Sequence, residues 1–262
     1  MIGEFFRVLH SEWLKKRHSS AAWLMAVGAF FTPVIVVAVR MMHRDRLSAL
    51  YVRDTFWMDL WKSSCESMAI FFLPMAAILA TSLAAQIEYR NNAWKQVHAL
   101  PLRLVTVYLA KLAVVVLMLA QFVALFVLGV WLSAMLPPLL SPGTVPYPSA
   151  PTPWRYFLAD GTHYFVDCLP IVTAQYLLSW RFGNFLVPIG VGFLVWVGTL
   201  AALSTQYVDW IPYAYSMLHY LKAYGDPRVM AVDGDTRLVA LAYFVLFVAA
   251  GYGLQAFRAE KG

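Results

Sequence analysis

Two apolar runs, each long enough to cross a lipid bilayer, constrain this chain more than any other feature. Residues 68–85 and 112–135 are almost entirely apolar, and a membrane-spanning helix needs about 20 such residues. Over the whole chain 61% of residues are apolar and 13% are charged, whereas soluble domains average about 45–50% and about 25%. The sequence therefore predicts an integral membrane protein.

The remaining apolar runs predict six membrane spans in a single domain. The 262 residues leave room for six spans with short connections, and for no additional soluble domain. We predict an all-α integral membrane protein in which residues 1–262 form one transmembrane domain. The spans are expected at about residues 20–39, 64–85, 105–135, 164–180, 185–203 and 238–257. The proline-rich residues 137–153 are expected to be an outer loop without regular helix.

The N-terminal residues 1–19 have the pattern of an amphipathic helix. Five apolar side chains recur at helical spacing, and polar side chains occupy the other face. Such a helix is expected to lie in the membrane interface. We expect it to be retained, since a signal peptide would place an apolar run directly after its basic region. The apolar residues are Ile2, Phe5, Phe6, Leu9 and Trp13.

The polar segment of residues 86–111 connects the second and third predicted spans. Read as a helix, it places Glu88, Asn92 and Lys95 on one face and Trp94 on an adjoining face, until Pro101 interrupts it. For an arbitrary loop between spans, a solvated turn is the ordinary interpretation. The pattern alone leaves that alternative open.

This segment also resembles a known family. The order acidic residue, short polar run, Trp94-Lys95, A-L-P-L-R and Y-L-A-K-L is similar to the first cytoplasmic loop of type-2 exporter permeases of the ATP-binding-cassette (ABC) class. Within that class it most resembles the lantibiotic-immunity and bacitracin-export branch. The N-terminal F-F-R-V-L-H-S-E-W-L-K-K-R-H-S-S resembles the opening of the same proteins. The chain departs from them at Asn92-Ala93, where the family commonly has Gly and a small hydroxyl residue.

The resemblance implies a permease subunit of an ATP-driven exporter in the bacterial cytoplasmic membrane. The substrate would be hydrophobic or amphipathic, such as an antimicrobial peptide, lantibiotic, drug or lipid-linked compound. The implied partners are an ABC ATPase subunit, a second permease chain in a homo- or heterodimer, and membrane lipid. In the family, the first loop holds a coupling helix that docks into the ATPase. The coupling residues carried over are Glu88, Tyr89, Arg90, Asn92, Trp94 and Lys95.

The sequence does not predict an enzyme. It contains no G-x-x-x-x-G-K-[ST] phosphate loop, so the chain is expected to hold no cofactor, and ATP and Mg²⁺ are expected on the partner ATPase. It also lacks H-E-x-x-H and G-x-S-x-G. The net charge of +6 is scattered at span ends, which favours anionic headgroups over nucleic acid. An ATP-independent transporter or immunity protein and a membrane-embedded enzyme remain alternatives.

Two further residue pairs suggest sites that the sequence does not support. His163 and Asp167 are spaced i, i+4, but no third ligand lies near them in sequence. Polar packing at a helix end is therefore expected and no metal site is predicted. Cys65 and Cys168 both fall near outer span ends, and two unpaired apolar cysteines are the default interpretation.

Charge at the span ends predicts the orientation. With the N-terminus inside, the inner segments hold 11 of the 20 basic and 4 of the 14 acidic residues, which places both termini in the cytoplasm.

Lys111 is expected to extend to the inner headgroups. Gly190, Gly192 and Gly198 in the fifth span are expected to permit close helix contact.

Overall fold

A computed structural model describes residues 2–17, 19–90, 104–182, 184–225 and 235–259, with side chains described throughout except at residues 2, 17, 87–90, 104 and 255–259. All regular structure in these ranges is helical. The helices are α1 (Ile2–Arg17), α2 (Ser20–Met42), α3 (Arg44–Tyr51), α4 (Phe56–Ser67), α5 (Leu73–Arg90), α6 (Leu104–Leu140), α7 (Trp154–Arg181), α8 (Leu186–Ala202), α9 (Tyr215–Ala223) and α10 (Thr236–Ala259). A π-helical turn (Met68–Phe72) joins α4 to α5, and a 3₁₀ turn (Val208–Trp210) precedes α9.

Among the described residues, four helical stretches are long and apolar enough to cross a membrane. They are Ser20–Met42, Phe56–Gln86, Val105–Leu140 and Thr236–Leu254. Helix α8 is apolar but has only 17 residues, and α7 has 28 residues and carries several charged groups in its first half. The structure thus supports an all-helical multi-pass membrane protein with four candidate spans among the described residues. The count of six spans stays a prediction.

The prediction that residues 137–153 contain no regular helix is wrong, because Pro137 and Pro138 lie inside α6. Other helices extend beyond the predicted spans: α2 continues to Met42, and α4 begins at Phe56. Helix α7 begins at Trp154, whereas the fourth span was predicted from about residue 164. The helices are therefore longer than their apolar runs, because helix ends that pack on neighbours tolerate polar residues.

Side chains from the N-terminal region explain how α6 passes through two prolines. Proline has no N–H, so Pro137 and Pro138 remove the helical donors of the Ser133 and Ala134 carbonyls, four residues earlier. Arg40 Nη1 donates to the Ser133 carbonyl at 3.3 Å. The hydroxyl of Tyr51 donates to the Ala134 carbonyl at 2.9 Å. Arg40 Nη1 also donates to that hydroxyl at 3.2 Å, so one contact network replaces both missing donors.

The π turn creates a similar situation in the helix formed by α4 and α5. Its wider register directs the Leu73 N–H to the Met68 carbonyl, and Pro74 offers no N–H to the carbonyls before it. The Ala69 carbonyl accepts instead from Ser216 Oγ of α9 at 2.9 Å. The Ile70 carbonyl accepts from Trp196 Nε1 of α8 at 2.9 Å. Freed backbone carbonyls thus fix α8 and α9 against this helix.

Helix α6 is the centre of the packing and contacts α1, α2, α5 and α7. A Cβ on Gly129 of α6 would come 2.8 Å from Cγ of Pro33, so this glycine permits the close approach of α2. In α8, a Cβ on Gly192 would collide with the amide of Gln175, whereas Gly190 and Gly198 have no atom within 4 Å of that position. Close contact is therefore confirmed for Gly192 alone among the three glycines. Cys65 and Cys168 are both buried and free.

Removing the hydroxyl of Tyr51 is expected to destabilise the protein. Tyr51→Phe leaves the buried Ala134 carbonyl without its side-chain donor, a loss of about 1–3 kcal/mol in the free energy of unfolding. Thermal unfolding of the detergent-purified protein should show a lower Tm. Tyr147→Phe is the matched control, because Tyr147 is 57% exposed. Equal Tm values for the two variants would contradict the proposed part of Tyr51 in capping α6.

Candidate functional site

A buried ion cluster joins α1 to the first turns of α6. The carboxylate of Glu12 lies 3.1 Å from Lys111 Nζ through Oε2 and 2.6 Å from Lys15 Nζ through Oε1. Glu12 and Lys111 are only 6% and 5% exposed. A buried pair of this kind is costly to break from one side, because the remaining charge is left without its partner. The contact therefore fixes the position of α1 along α6.

Burial and neighbouring charges together lower the pKa values of both Glu12 and Lys16 on α1. The lower pKa favours the charged form of Glu12 and the neutral form of Lys16. Burial tends to raise the pKa of Glu12, but the ammonium groups of Lys111 and Lys15 outweigh it and the pKa is lowered. Burial lowers the pKa of Lys16 to about 7, with the Glu12 carboxylate opposing and Lys111 adding to the shift. The lowered pKa of Glu12 keeps its carboxylate ionised at neutral pH.

The structure corrects the expectation for Lys111. The side chain was expected to reach the inner headgroups, but it is buried and paired with Glu12. The reason is that α1 packs along α6 and brings a carboxylate within hydrogen-bonding distance. Sequence spacing could not show this contact, because 99 residues separate the two partners.

The apolar residues of α1 divide between the bundle and the outside. Leu9 and Trp13 pack against the hydrophobic core. Phe6 is 60% exposed, and its ring contacts that of Phe5 with the centroids 5.8 Å apart. The side chain of Ile2 lies outside the described residues. A helix is present at this position, while its amphipathic character and its location in the membrane interface stay predictions.

The predicted coupling residues lie mostly outside the described part of the chain. Asn92, Trp94 and Lys95 fall in residues 91–103, which are not described, and the side chains of Glu88, Tyr89 and Arg90 are not described either. These last three residues belong to the final turn of α5. The segment connects α5 to α6 at the end of α6 that contacts Glu12. Its role in coupling remains a prediction.

A second polar cluster lies near the opposite end of α6, between α7, α9 and α10. We call it the histidine cluster, and it comprises Asp160, His163, Asp167, His219 and Arg237. His219 is its centre: Nε2 lies 2.9 Å from Asp160 Oδ1, and Nδ1 lies 3.6 Å from Asp167 Oδ2. Arg237 Nη1 lies 2.9 Å from His163 Nε2. These contacts connect α7 to both α9 and α10.

Residues around the histidine cluster hold its carboxylates and its guanidinium. Trp61 Nε1 donates to Asp160 Oδ2 at 2.7 Å, and Thr236 Oγ1 donates to Asp167 Oδ1 at 3.2 Å. Asp235 accepts from Arg237 Nε and Nη2 at 2.7 and 2.6 Å. These bonds from Arg237 lower the pKa of the Asp235 carboxyl to about 2. The ion pair of Asp235 and Arg237 is therefore maintained over the physiological pH range.

The histidine cluster is only partly visible in the sequence. The expected polar packing of His163 and Asp167 is found, but on different partners, Arg237 and Thr236. Asp160 and His219 were not singled out, although they make the shortest carboxylate–imidazole contact given for the cluster. No local pattern signals that pair, because 59 residues separate its members. Only the packing of α9 against α7 brings them together.

The fold defines an all-helical, multi-pass membrane protein over the described residues. A family model described as an ABC-2 family transporter protein matches residues 8–199, which is well over half of the chain. The chain therefore belongs to the ABC-2 transporter family, whose members are transport membrane subunits, and this membership implies an ABC ATPase partner. A search of curated proteins and a search of solved structures each found no match.

The ion pair between α1 and α6 yields a stability prediction. Glu12→Gln removes the carboxylate that contacts the buried Lys111, and removing one member of a buried ion pair costs about 3–5 kcal/mol. Thermal unfolding in detergent should show a markedly lower Tm, while Glu4→Gln on the same helix should change it little. The double variant Glu12→Lys with Lys111→Glu restores opposite charges and should recover part of the loss. If the single and double variants are equally unstable, the ion pair is not the source of the stability.

Proposed function

We propose that this chain is the permease subunit of an ATP-driven exporter of the ABC class. The observation that carries the proposal is the family match over residues 8–199, which includes the whole segment between α5 and α6. In the proposed assembly, two permease chains form the transport path and each receives force from one ATPase. Both termini lie in the cytoplasm, so the Glu12 end of α6 faces the ATPase.

The geometry around that segment suits the transmission of a displacement. Residues 91–103 are joined to α5 on one side and to α6 on the other. Because Glu12 and Lys111 are buried together, a displacement of the first turns of α6 also moves α1. An ATPase that docks on residues 86–101 would thus act on three helices together. Trp94 is the proposed anchor in the ATPase cleft, with Glu88, Asn92 and Lys95 on the polar face.

The proposed substrate is hydrophobic or amphipathic, such as an antimicrobial peptide, a lantibiotic, a drug or a lipid-linked compound. This class rests on the resemblance to lantibiotic-immunity and bacitracin-export permeases. The bundle also presents apolar surface suited to lipid, a second chain or an apolar substrate. Exposed apolar side chains follow one face of α2 and α10, and include Trp23, Val27, Phe31, Leu238, Val245 and Leu246.

Trp94→Ala and Glu88→Lys test the proposed contact with the ATPase. Truncating a Trp that anchors an interface often costs about 2 kcal/mol or more, and reversing Glu88 sets like charges against each other across the contact. Both variants should insert normally, yet retain less of the co-produced ATPase on purification. In reconstituted vesicles, substrate-stimulated ATP hydrolysis and transport should fall together, while the basal hydrolysis of the ATPase persists.

Trp210→Ala is the control for this experiment, because Trp210 is 73% exposed and lies near α9. It should co-purify with the ATPase and transport like the parent protein. Two results would contradict the proposal. One is a parent protein that carries no ATPase through purification, which favours an ATP-independent transporter or immunity protein. The other is unchanged coupling in both loop variants, which favours a solvated turn.

Single cysteines test the proposed orientation. In a variant without Cys65 and Cys168, a cysteine at Ser48 should react with an impermeant thiol reagent on intact cells. A cysteine at Asn184 should react only after the membrane is opened. Both positions are exposed, so burial does not account for a difference. The reverse pattern would place the Glu12 end of α6 outside and overturn the assignment of residues 86–101 to an ATPase contact.

A further inference from the structure

The histidine cluster contains a donor set suited to a metal ion. The ligand atoms of Asp160, His163 and His219 all lie within 4.8 Å of one another. Tetrahedral zinc sites have bonds of about 2.0–2.2 Å to imidazole nitrogen and carboxylate oxygen, which places ligand atoms roughly 3.3 Å apart. Two imidazoles with one carboxylate favour first-row transition metals over Mg²⁺ or Ca²⁺, which prefer oxygen ligands.

Neighbouring groups hold the atoms of these ligands that would not face a metal. Trp61 Nε1 donates to Asp160 Oδ2, which leaves Oδ1 directed toward His219. On the other side of the His219 ring, Nδ1 faces Asp167 Oδ2 at 3.6 Å. That oxygen is buried, and no described residue donates a hydrogen bond to it. Metal-binding histidines generally direct their second nitrogen at such a carboxylate, which fixes the ring and its tautomer.

The charge of the surroundings also favours a cation. Asp160, Asp167 and Asp235 supply three carboxylates, against the positive charges of Arg237 and of Lys222, which lines the adjacent cleft. The cleft has a volume of about 490 Å³, and His163 and His219 both line it. A metal bound by three protein ligands keeps a fourth position for water or an external donor, and this cleft offers the access.

Arg237 opposes a metal directly, because it contacts a ligand atom. Its Nη1 donates a hydrogen bond to the lone pair of His163 Nε2. A metal ion at His163 would bind the same lone pair. Arg237 does not depend on this contact, because it makes two further hydrogen bonds to Asp235. A metal ion can therefore replace Arg237 at His163 while the ion pair with Asp235 remains.

We propose that Asp160, His163 and His219 bind a first-row divalent transition-metal ion of the Zn²⁺ class, with Asp167 as a positioning residue for His219. The ion joins α7 to α9 at the end of the bundle away from Glu12. The proposal does not depend on the ATPase partner or on the substrate of transport.

Cobalt titration of the full-length protein tests the proposal directly. The protein is purified in detergent with a tag that contains no histidine, and Co²⁺ binding is followed by the visible absorption of a tetrahedral site, then by displacement with Zn²⁺. We expect one Co²⁺ per chain. Asp160→Asn, His163→Gln and His219→Gln should each weaken binding by about 100-fold or more, and Asp167→Asn by roughly 10–100-fold. His10→Gln, an exposed histidine on α1, should bind like the parent.

Arg237→Gln keeps the proposal testable even if a ligand variant fails to fold. Removing the guanidinium frees His163 and takes away a positive charge, so Co²⁺ should bind about tenfold more tightly. A hydrogen-bond network without a metal predicts no such gain. Weak, nonsaturating Co²⁺ binding by the parent, or equal binding by the parent, the three ligand variants and Arg237→Gln, would overturn the proposal.

Discussion

The structure depends on how an apolar bundle satisfies backbone carbonyls that have lost their helical donors. In lipid, each unsatisfied backbone group costs several kcal/mol, so a proline within a span requires a replacement donor. Here the donors come from other helices: Arg40 and Tyr51 reach the end of α6, while Trp196 and Ser216 reach the π turn. The prolines thus create acceptor sites at which distant parts of the chain attach. The same hydrogen bonds therefore satisfy the helix backbone and hold the helices against one another.

The sequence predicts those parts of the fold that are encoded locally. The apolar runs gave the helical, multi-pass class, and the motifs of the N-terminal helix and of the first polar segment led to the correct transporter family. Local rules fail where a distant residue changes their outcome. Pro137 and Pro138 end a helix in isolation, but Arg40 and Tyr51, more than 80 residues earlier, supply the missing hydrogen bonds. No pattern around residue 137 contains that information.

The same limit applies to the charged groups. A lysine near a span end, such as Lys111, can either reach the lipid headgroups or form an ion pair. Which contact forms here depends on where α1 packs. His163 and Asp167 show half of a cluster in the sequence, whereas Asp160 and His219 become partners only through tertiary structure. The predicted coupling residues illustrate a different case. They were inferred from a motif, and the described residues establish their setting between α5 and α6 without testing their contacts.

The contacts also form a continuous physical connection between the two ends of the bundle. The segment before α6 follows α5, and α5 continues through the π turn into α4. At that turn Ser216 of α9 binds the Ala69 carbonyl, and His219 lies one helical turn farther along α9. Through these contacts the π turn is linked to α9, and His219 links α9 to Asp160 on α7. Energetic coupling requires an element with two discrete arrangements, and π turns are irregularities at which helices bend. The π turn at Met68–Phe72 is the irregular element through which the helix that precedes residues 91–103 contacts the helix that carries His219.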